Sequence, residues 1–377
     1  MIQLTFTKKY LEKKGLICEI AYGHQELEDF VDEFDIVHLF NLQTPLTTLR
    51  ALEIAKTKGK KVCLSTVYFN VYKIVAGVLL SKLRSLSLYR YNLLNLSLYK
   101  LYTFLAPPVF NFSSVLNKFS DSPFNPRFYE IAEEILLSVD ALLPNSLEEL
   151  NQITFDFPSI PSVNLRNKTY IVKNGVDCEE IERFDEECVS ASVKDLIKQL
   201  KIKHKFIIGE VGRIEEIKNQ NSLVKAFCGK EDFAVVLAGM YRESDSYYKN
   251  IKQMVRKCKN IYLVGPLSRC DTIFLMRNLD VHALPSLRES PGLVVLEAAS
   301  LGTPVVTTMY SPINEYLNNF AFVCNPLDIN DIREKVMHAL RMPEETRVKM
   351  KRHVLSNLTW ERAANETLYV YKELLSK

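Results

Sequence analysis

At 377 residues the chain is long enough for two domains of ordinary size, and 47% hydrophobic against 25% charged residues excludes a wholly disordered polymer. The formal net charge is only +3, and the eight cysteines stand without CxxC pairs or His-rich spacing, which argues against a zinc site and reads them as small core residues or thiols of a reducing compartment. No secretory signal opens the chain, no uninterrupted 18-residue apolar segment is present, and there is no fixed-period repeat, so the expectation is a soluble or peripheral cytoplasmic protein.

In chain order, Gln3 to Lys14 reads as a helix closed by Gly15, and Leu16–Ala21 as a strand. Phe34–Phe40 and Lys61–Val67 are further strands, with a helix over Thr47–Lys58 between them. Ala141–Ser146 and Tyr170–Asn174 continue the sheet. His38, at the expected carboxyl end of its strand, is either a cleft-facing imidazole or a hydrogen-bonded structural residue. Asn41, Gln43, Tyr68 and Asn70 are further hydrogen-bonding candidates near these strand ends, none of them a strong base.

From Ile54 to Ser120 there is no Asp or Glu, while ten Lys and Arg residues, from Lys56 to Lys118, are interleaved with Tyr68, Phe69, Tyr72, Tyr89, Tyr91, Tyr99, Tyr102 and Phe104. The rest of the chain is therefore net negative. Cations and aromatics around an apolar face suit an anionic membrane surface or a lipid-pyrophosphate acceptor. The alternative is a Leu-rich helical insertion that packs on the domain and carries its lysines outside. A nucleic-acid partner is not expected, because no binding motif accompanies the basic run.

The second half alternates short β-rich runs with helical stretches. Ile207–Gly212 runs into a glycine turn followed by Arg213, Lys218 and a helix over Asn221–Phe227. Phe233–Gly239, Asn260–Gly265 and Val281–Ser286 each end in Gly or shortly after Pro, which marks a parallel doubly wound sheet. Then comes Glu289-Ser-Pro-Gly-Leu-Val-Val-Leu-Glu297, with Pro291 suited to the first turn of a helix, Gly302 closing it and Val305–Thr307 the next strand. The amides of Gly292, Leu293 and Val294 would open that helix as an anion site, flanked by carboxylates at Glu289 and Glu297. A closing helix spans Trp360 to Leu375.

With Val211-Gly-Arg213, Lys218, the Asn174-Gly-Val-Asp177 turn, Pro285-Ser286, Glu289…Glu297 and Gly302-Thr-Pro-Val-Val306, the chain resembles retaining glycosyltransferase family 4, of the GT-B fold. The resemblance covers residues 170–320 strongly and the rest weakly. It departs at Glu289-Ser-Pro-Gly292, where the family usually reads Glu-Gly-Phe-Gly, and at Thr66–Asn70, where related enzymes often carry a histidine.

The resemblance implies an α/β protein of two doubly wound Rossmann-like domains facing a cleft: an acceptor-side domain over 1–174, a nucleotide-sugar domain over 175–358, and a helix over 359–377 crossing back to the first. Its members begin with a strand and a glycine-rich loop, which this chain, opening on a helix, is expected to lack. Truncation, a miscalled start, or a lineage that manages without the first strand each account for that. The implied activity is retaining transfer of a hexose-type sugar from a nucleotide-sugar donor to a glycan, lipid-linked or small-molecule acceptor, in cell-surface polysaccharide or glycolipid synthesis. Arg213, Lys218 and Glu289 would act on the reacting donor; Gly212, Ser290, Gly292, Leu293, Val294 and Glu297 would bind it. No cofactor is expected and no metal, the cations supplying the electrostatics. A sugar-nucleotide epimerase and a non-catalytic partner subunit are the competing readings; retention of Arg213, Lys218, Glu289 and Glu297 favours the enzyme.

Overall fold

The computed structural model describes residues 2–70, 121, 125 and 127–376. They divide into two compact units, one of residues 1–173 with 363–377 and one of residues 174–362.

The first unit is built on a parallel sheet of β1 (Ile36–Phe40), β2 (Lys61–Ser65) and β3 (Ala141–Leu142), in that spatial order. β1 pairs with β2 from Ile36↔Lys61 to Phe40↔Ser65. The helix Pro45–Thr57 makes the crossover, starting on a proline whose missing N–H would have no intrahelical acceptor. Val37, Leu39, Leu52, Ala55, Val62, Leu64, Ile135 and Leu142 form its core.

Three strand expectations fail here in whole or in part. Leu16–Ala21 is extended but joins no strand ladder among the described residues; its alternation of half-buried and exposed positions is that of a segment lying over a surface. β3 is only two residues long. Tyr170–Asn174 is not a strand either, although Tyr170 and Val172 donate to the carbonyls of Leu142 and Pro144 at 2.9 and 3.0 Å. The basic, aromatic stretch Val71–Phe104 lies outside the described residues. Of the cations before it, Lys56 pairs with Asp140 at 2.5 Å and Lys58 with Asp32 at 2.6 Å, so acids distant in sequence balance them.

The second unit holds a six-stranded parallel sheet in the order β6-β5-β4-β7-β8-β9. The strands are β4 (Phe206–Val211), β5 (Phe233–Ala238), β6 (Ile261–Gly265), β7 (Val281–Leu284), β8 (Val305–Thr308) and β9 (Phe322–Cys324). Helices cover both faces, so the central strands are buried throughout and read as continuous apolar runs. The sheet grows outward from β4 to β6, then restarts at β7 on the other side of β4. The carboxyl ends of β4 and β7 therefore flank the topological switch point, where open α/β sheets bind ligands.

Four cysteines depart from the thiol expectation: Cys188 is bonded to Cys270 and Cys228 to Cys258, with Cα separations of 5.9 and 5.2 Å. Each pair joins residues 82 and 30 positions apart, a relation that local spacing does not reveal. Cys63 and Cys324 are buried core residues.

Candidate functional site

The turn after β4 carries Gly212 and Arg213, and a single 3-10 turn, Glu216–Lys218, carries Lys218 back over the sheet edge. Gly239 fixes the width of this passage. Its φ is +154°, and a Cβ there would stand 1.9 Å from the Gly212 carbonyl oxygen, so no side chain fits. Asn219 then turns left-handed (φ 60°) into the helix Gln220–Phe227, and its amide donates to the carbonyls of Pro285 and Pro326 at 2.9 and 2.8 Å. Those bonds tie the Lys218 turn to the end of β7, as does Leu287 N–H on the Ile217 carbonyl at 2.8 Å.

Lys218 and Glu289 meet: Nζ lies 2.6 Å from Oε1, with the two side chains 18% and 8% exposed. Ser286 donates to the same carboxyl oxygen at 2.6 Å. Arg213 behaves differently. Its side chain is 72% exposed and its guanidinium pairs with Glu215 at 3.0 Å, an exposed ion pair that contributes little to stability.

The segment between the two glutamates differs from expectation. Pro291 does not open the helix: the Ser290–Pro291 peptide is cis, and Gly292, left-handed at φ 92°, is the cap residue ahead of the helix Leu293–Ser300. The sequence rule for proline at the first helical position gives way to a glycine whose conformation turns the chain between Pro291 and Leu293. The helical amides thus begin at Leu293 and Val294, with Gly292 outside them, and they have no intrahelical acceptor. Ser290 sits on the loop beside them, and Ser311 Oγ holds the Pro291 carbonyl at 2.8 Å. Glu297, on the fifth residue of the helix, is bound by Arg269 at 2.9 Å, and Arg269 also reaches Glu180 at 2.8 Å. The sequence reading missed Arg269 and Glu180, which stand 28 and 117 positions from Glu297.

Buried polar groups lie under this edge. Glu210 on β4 is 1% exposed; burial pushes its carboxyl well above the usual carboxylate range, with Lys218 opposing and Glu289 reinforcing. His282 on β7 is fully buried, accepts from the Val211 N–H through Nε2 at 3.3 Å, and is driven by burial, with Lys218 adding, down to about 3. Among the described residues no three His, Cys, Asp or Glu side chains converge on a metal-sized site.

The acceptor-side candidates occupy internal positions of the first unit. His38 sits mid-strand on β1, not at its end, with Nδ1 2.7 Å from Tyr371 Oη and Nε2 2.9 Å from Ser65 Oγ. Burial lowers its pKa to about 3, so it is a neutral, hydrogen-bonded imidazole. Tyr68 is 1% exposed, stacked on Phe128 and donating to Asp156 at 2.9 Å; it is a core residue. Asn70 donates to Tyr129 Oη at 3.3 Å, and Gln43 donates to the Phe69 carbonyl at 2.9 Å. Asn41, left-handed at φ 82°, accepts from the Gln43 N–H at 2.9 Å. These side chains shape the loops after β1 and β2.

Residues 192–354 match the family model described as Glycosyl transferases group 1. The chain is 24% identical over 196 residues to D-inositol 3-phosphate glycosyltransferase of Corynebacterium glutamicum, covering 50% of this chain and 45% of that one. It spans about half the length of the curated relatives it matches. Among solved structures, HepE of Anabaena in complex with UDP aligns at a TM-score of 0.63 and 14% identity, over 93% of this chain and 82% of that one. Sucrose-phosphate synthase of Thermosynechococcus elongatus aligns at 0.66 and 15%, over 96% and 81%. The fold is α/β with parallel sheets, of the GT-B type.

Proposed function

From a chain whose residues 192–354 match the model of the glycosyl transferases group 1, we propose a glycosyltransferase that moves a hexose-type sugar from a nucleotide-sugar donor to a glycan, lipid-linked or small-molecule acceptor, with retention at the anomeric carbon. The observation that carries it is the meeting of Lys218, Glu289 and the Leu293 helix start at the switch point of the second sheet. Similar structures were determined with UDP and with UDP and glucose, which supports a nucleotide-sugar donor.

In the proposed reaction the bond from the anomeric carbon to the diphosphate oxygen breaks, and the electron pair leaves with the diphosphate. Arg213, Lys218 and the amides of Leu293 and Val294 stabilise the charge growing there. The diphosphate competes with Glu289 for Lys218, and Glu289 then accepts from the hexose hydroxyls. Glu297, oriented by Arg269, accepts from the ribose. The acceptor oxygen bonds to the anomeric carbon on the face the diphosphate leaves, and its proton passes to the departing phosphate. Protein cations supply the electrostatics, so the reading is metal-independent.

Cell-surface polysaccharide or glycolipid synthesis at the cytoplasmic face of a membrane fits the basic run before residue 120. No helix of the described residues is long and apolar enough to cross a membrane. A reducing cytoplasm would hold the two cysteine pairs as thiols, a point against that location. Nucleotide-sugar turnover, with and without lipid acceptors and anionic liposomes, tests donor, acceptor and surface together; an α-donor yielding a β-product would remove retention from the reading.

A further inference from the structure

The two carboxyl oxygens of Glu289 are not equivalent. Oε1 accepts twice, from Lys218 Nζ and from Ser286 Oγ, each at 2.6 Å. An ionised carboxylate only accepts, so the serine hydroxyl is the donor. Oε2 has no hydrogen bond among the described residues and is not sealed from solvent. A Cβ on Gly292 would stand 3.5 Å from Oε2, so this oxygen lies against the glycine at the head of the Leu293 helix. One open acceptor therefore stands beside the first helical amides. Ser286 itself is fully buried, and its hydroxyl makes no second hydrogen bond among the described residues. Its neighbours are tied to the turn that carries Lys218: the Pro285 carbonyl accepts from Asn219 Nδ2 at 2.9 Å, and Leu287 N–H donates to the Ile217 carbonyl at 2.8 Å. The Glu289 N–H is fastened in turn to the Tyr310 carbonyl at 3.2 Å. With the backbone held on both sides, the freedom left to Glu289 is that of its side chain, and the contacts on Oε1 set it.

We propose that Ser286 is the positioning residue of Glu289: its hydroxyl keeps Oε1 in place when the diphosphate draws Lys218 away, so that Oε2 alone faces the hexose of the donor and accepts from a hydroxyl there. The role rests on the functional reading above, which gives Lys218 to the diphosphate and Glu289 to the sugar. Lys218 cannot hold the carboxylate through that exchange, because the ligand competes for it. Ser286 has no competing task, since it is buried behind the carboxylate and no ligand reaches it. A side chain that meets a ligand keeps its geometry through a supporting hydrogen bond of this kind.

The test titrates wild type, Ser286→Ala, Glu289→Ala and the double variant with UDP and with UDP-glucose by calorimetry. Ser286→Ala is expected to bind UDP-glucose at least about fivefold more weakly than wild type and UDP within about twofold, because a hydrogen bond to a charged group is lost only where the sugar meets it. In the Glu289→Ala background the serine has no carboxylate to hold, so the double variant should bind UDP-glucose within about twofold of Glu289→Ala. A merely structural serine would weaken both ligands alike, or add its full effect to that of Glu289→Ala; either result overturns the proposal, as does UDP-glucose binding that Glu289→Ala weakens and Ser286→Ala leaves intact. Urea denaturation of the same four ligand-free proteins separates this from the donor assignment. If no form binds either ligand, or Glu289→Ala leaves UDP-glucose binding untouched, the functional reading fails and the hexose role of Ser286 fails with it. Non-additive urea midpoints would then still show Ser286 holding Glu289, and additive ones would remove that contact too.

Discussion

Lys218 Nζ and Glu289 Oε1 lie 2.6 Å apart, so two residues 71 positions apart in sequence form one partly buried ion pair at the carboxyl edge of the second sheet. A cation awaiting a diphosphate is thereby held by the carboxylate that the functional reading gives to the sugar. Each group supplies the other with a partner inside the protein, and on the proposed reading a ligand carrying both phosphate and hydroxyl groups replaces both partners.

That coupling is measurable. Lys218→Met and Glu289→Gln are each expected to lower stability by about 1–3 kcal/mol, because each leaves a charged or polar partner unmatched. The double variant should fall short of the sum by about 0.5–3 kcal/mol. Urea denaturation of the four proteins gives the coupling; strict additivity would show that the pair is a passing surface contact.

Arg269 binds Glu297 and Glu180 at 2.9 and 2.8 Å, and its removal should act on donor affinity more than on chemistry. Arg269→Ala is expected to raise the donor KM roughly tenfold, about 1.4 kcal/mol, with kcat changed far less. Steady-state kinetics separates the two. An equal loss in kcat with KM unchanged would place Arg269 in the reaction instead of the ribose subsite.

The second unit should lose stability in acid through His282. Its folded pKa is depressed to about 3 by burial, with Lys218 adding. Between that value and the ordinary histidine pKa near ~6.5, the unfolded chain binds the proton and the folded chain does not, so stability is present above the window and lost as pH falls through it. The slope for this group is about 1.4 kcal/mol per pH unit at most. His282→Gln should flatten the acid limb of a denaturation series; an unchanged limb would remove His282 as its cause.

Much of this was legible in the residues, for definite reasons. The central strands of the second unit are buried on both faces, so Ile207–Val211, Phe233–Ala238 and Val281–Leu284 appear as apolar runs that stop at turn residues. Leu16–Ala21 has the same local character, but a strand needs a partner and local pattern does not supply one. Pro291 obeyed a local rule that the left-handed Gly292 beside it overrode. Glu210 was invisible because one acid inside a strand run looks like a solvent-facing position, and only the sheet order shows helices above it. Arg269 and the cysteine pairs depend on long-range packing, to which spacing is blind.

The cysteine pairs carry their own prediction. Breaking Cys228–Cys258 or Cys188–Cys270 by serine substitution should cost about 2–4 kcal/mol each, with both closing long loops. Reductant should lower the Tm of wild type and leave the variant lacking all four cysteines unchanged. Equal melting of wild type with and without reductant would mean the pairs are thiols in solution.

The most direct measurement is release of nucleoside diphosphate from a panel of nucleotide sugars by wild type, Arg213→Ala and Lys218→Ala, each with and without chelator. One donor should be turned over by wild type, with chelator leaving the rate nearly unchanged. Each substitution should cut the rate by an order of magnitude or more, since a donor at a developing anion is worth ~2.7–4 kcal/mol of barrier. Turnover that survives both substitutions, or that chelator abolishes and magnesium restores, would contradict the account.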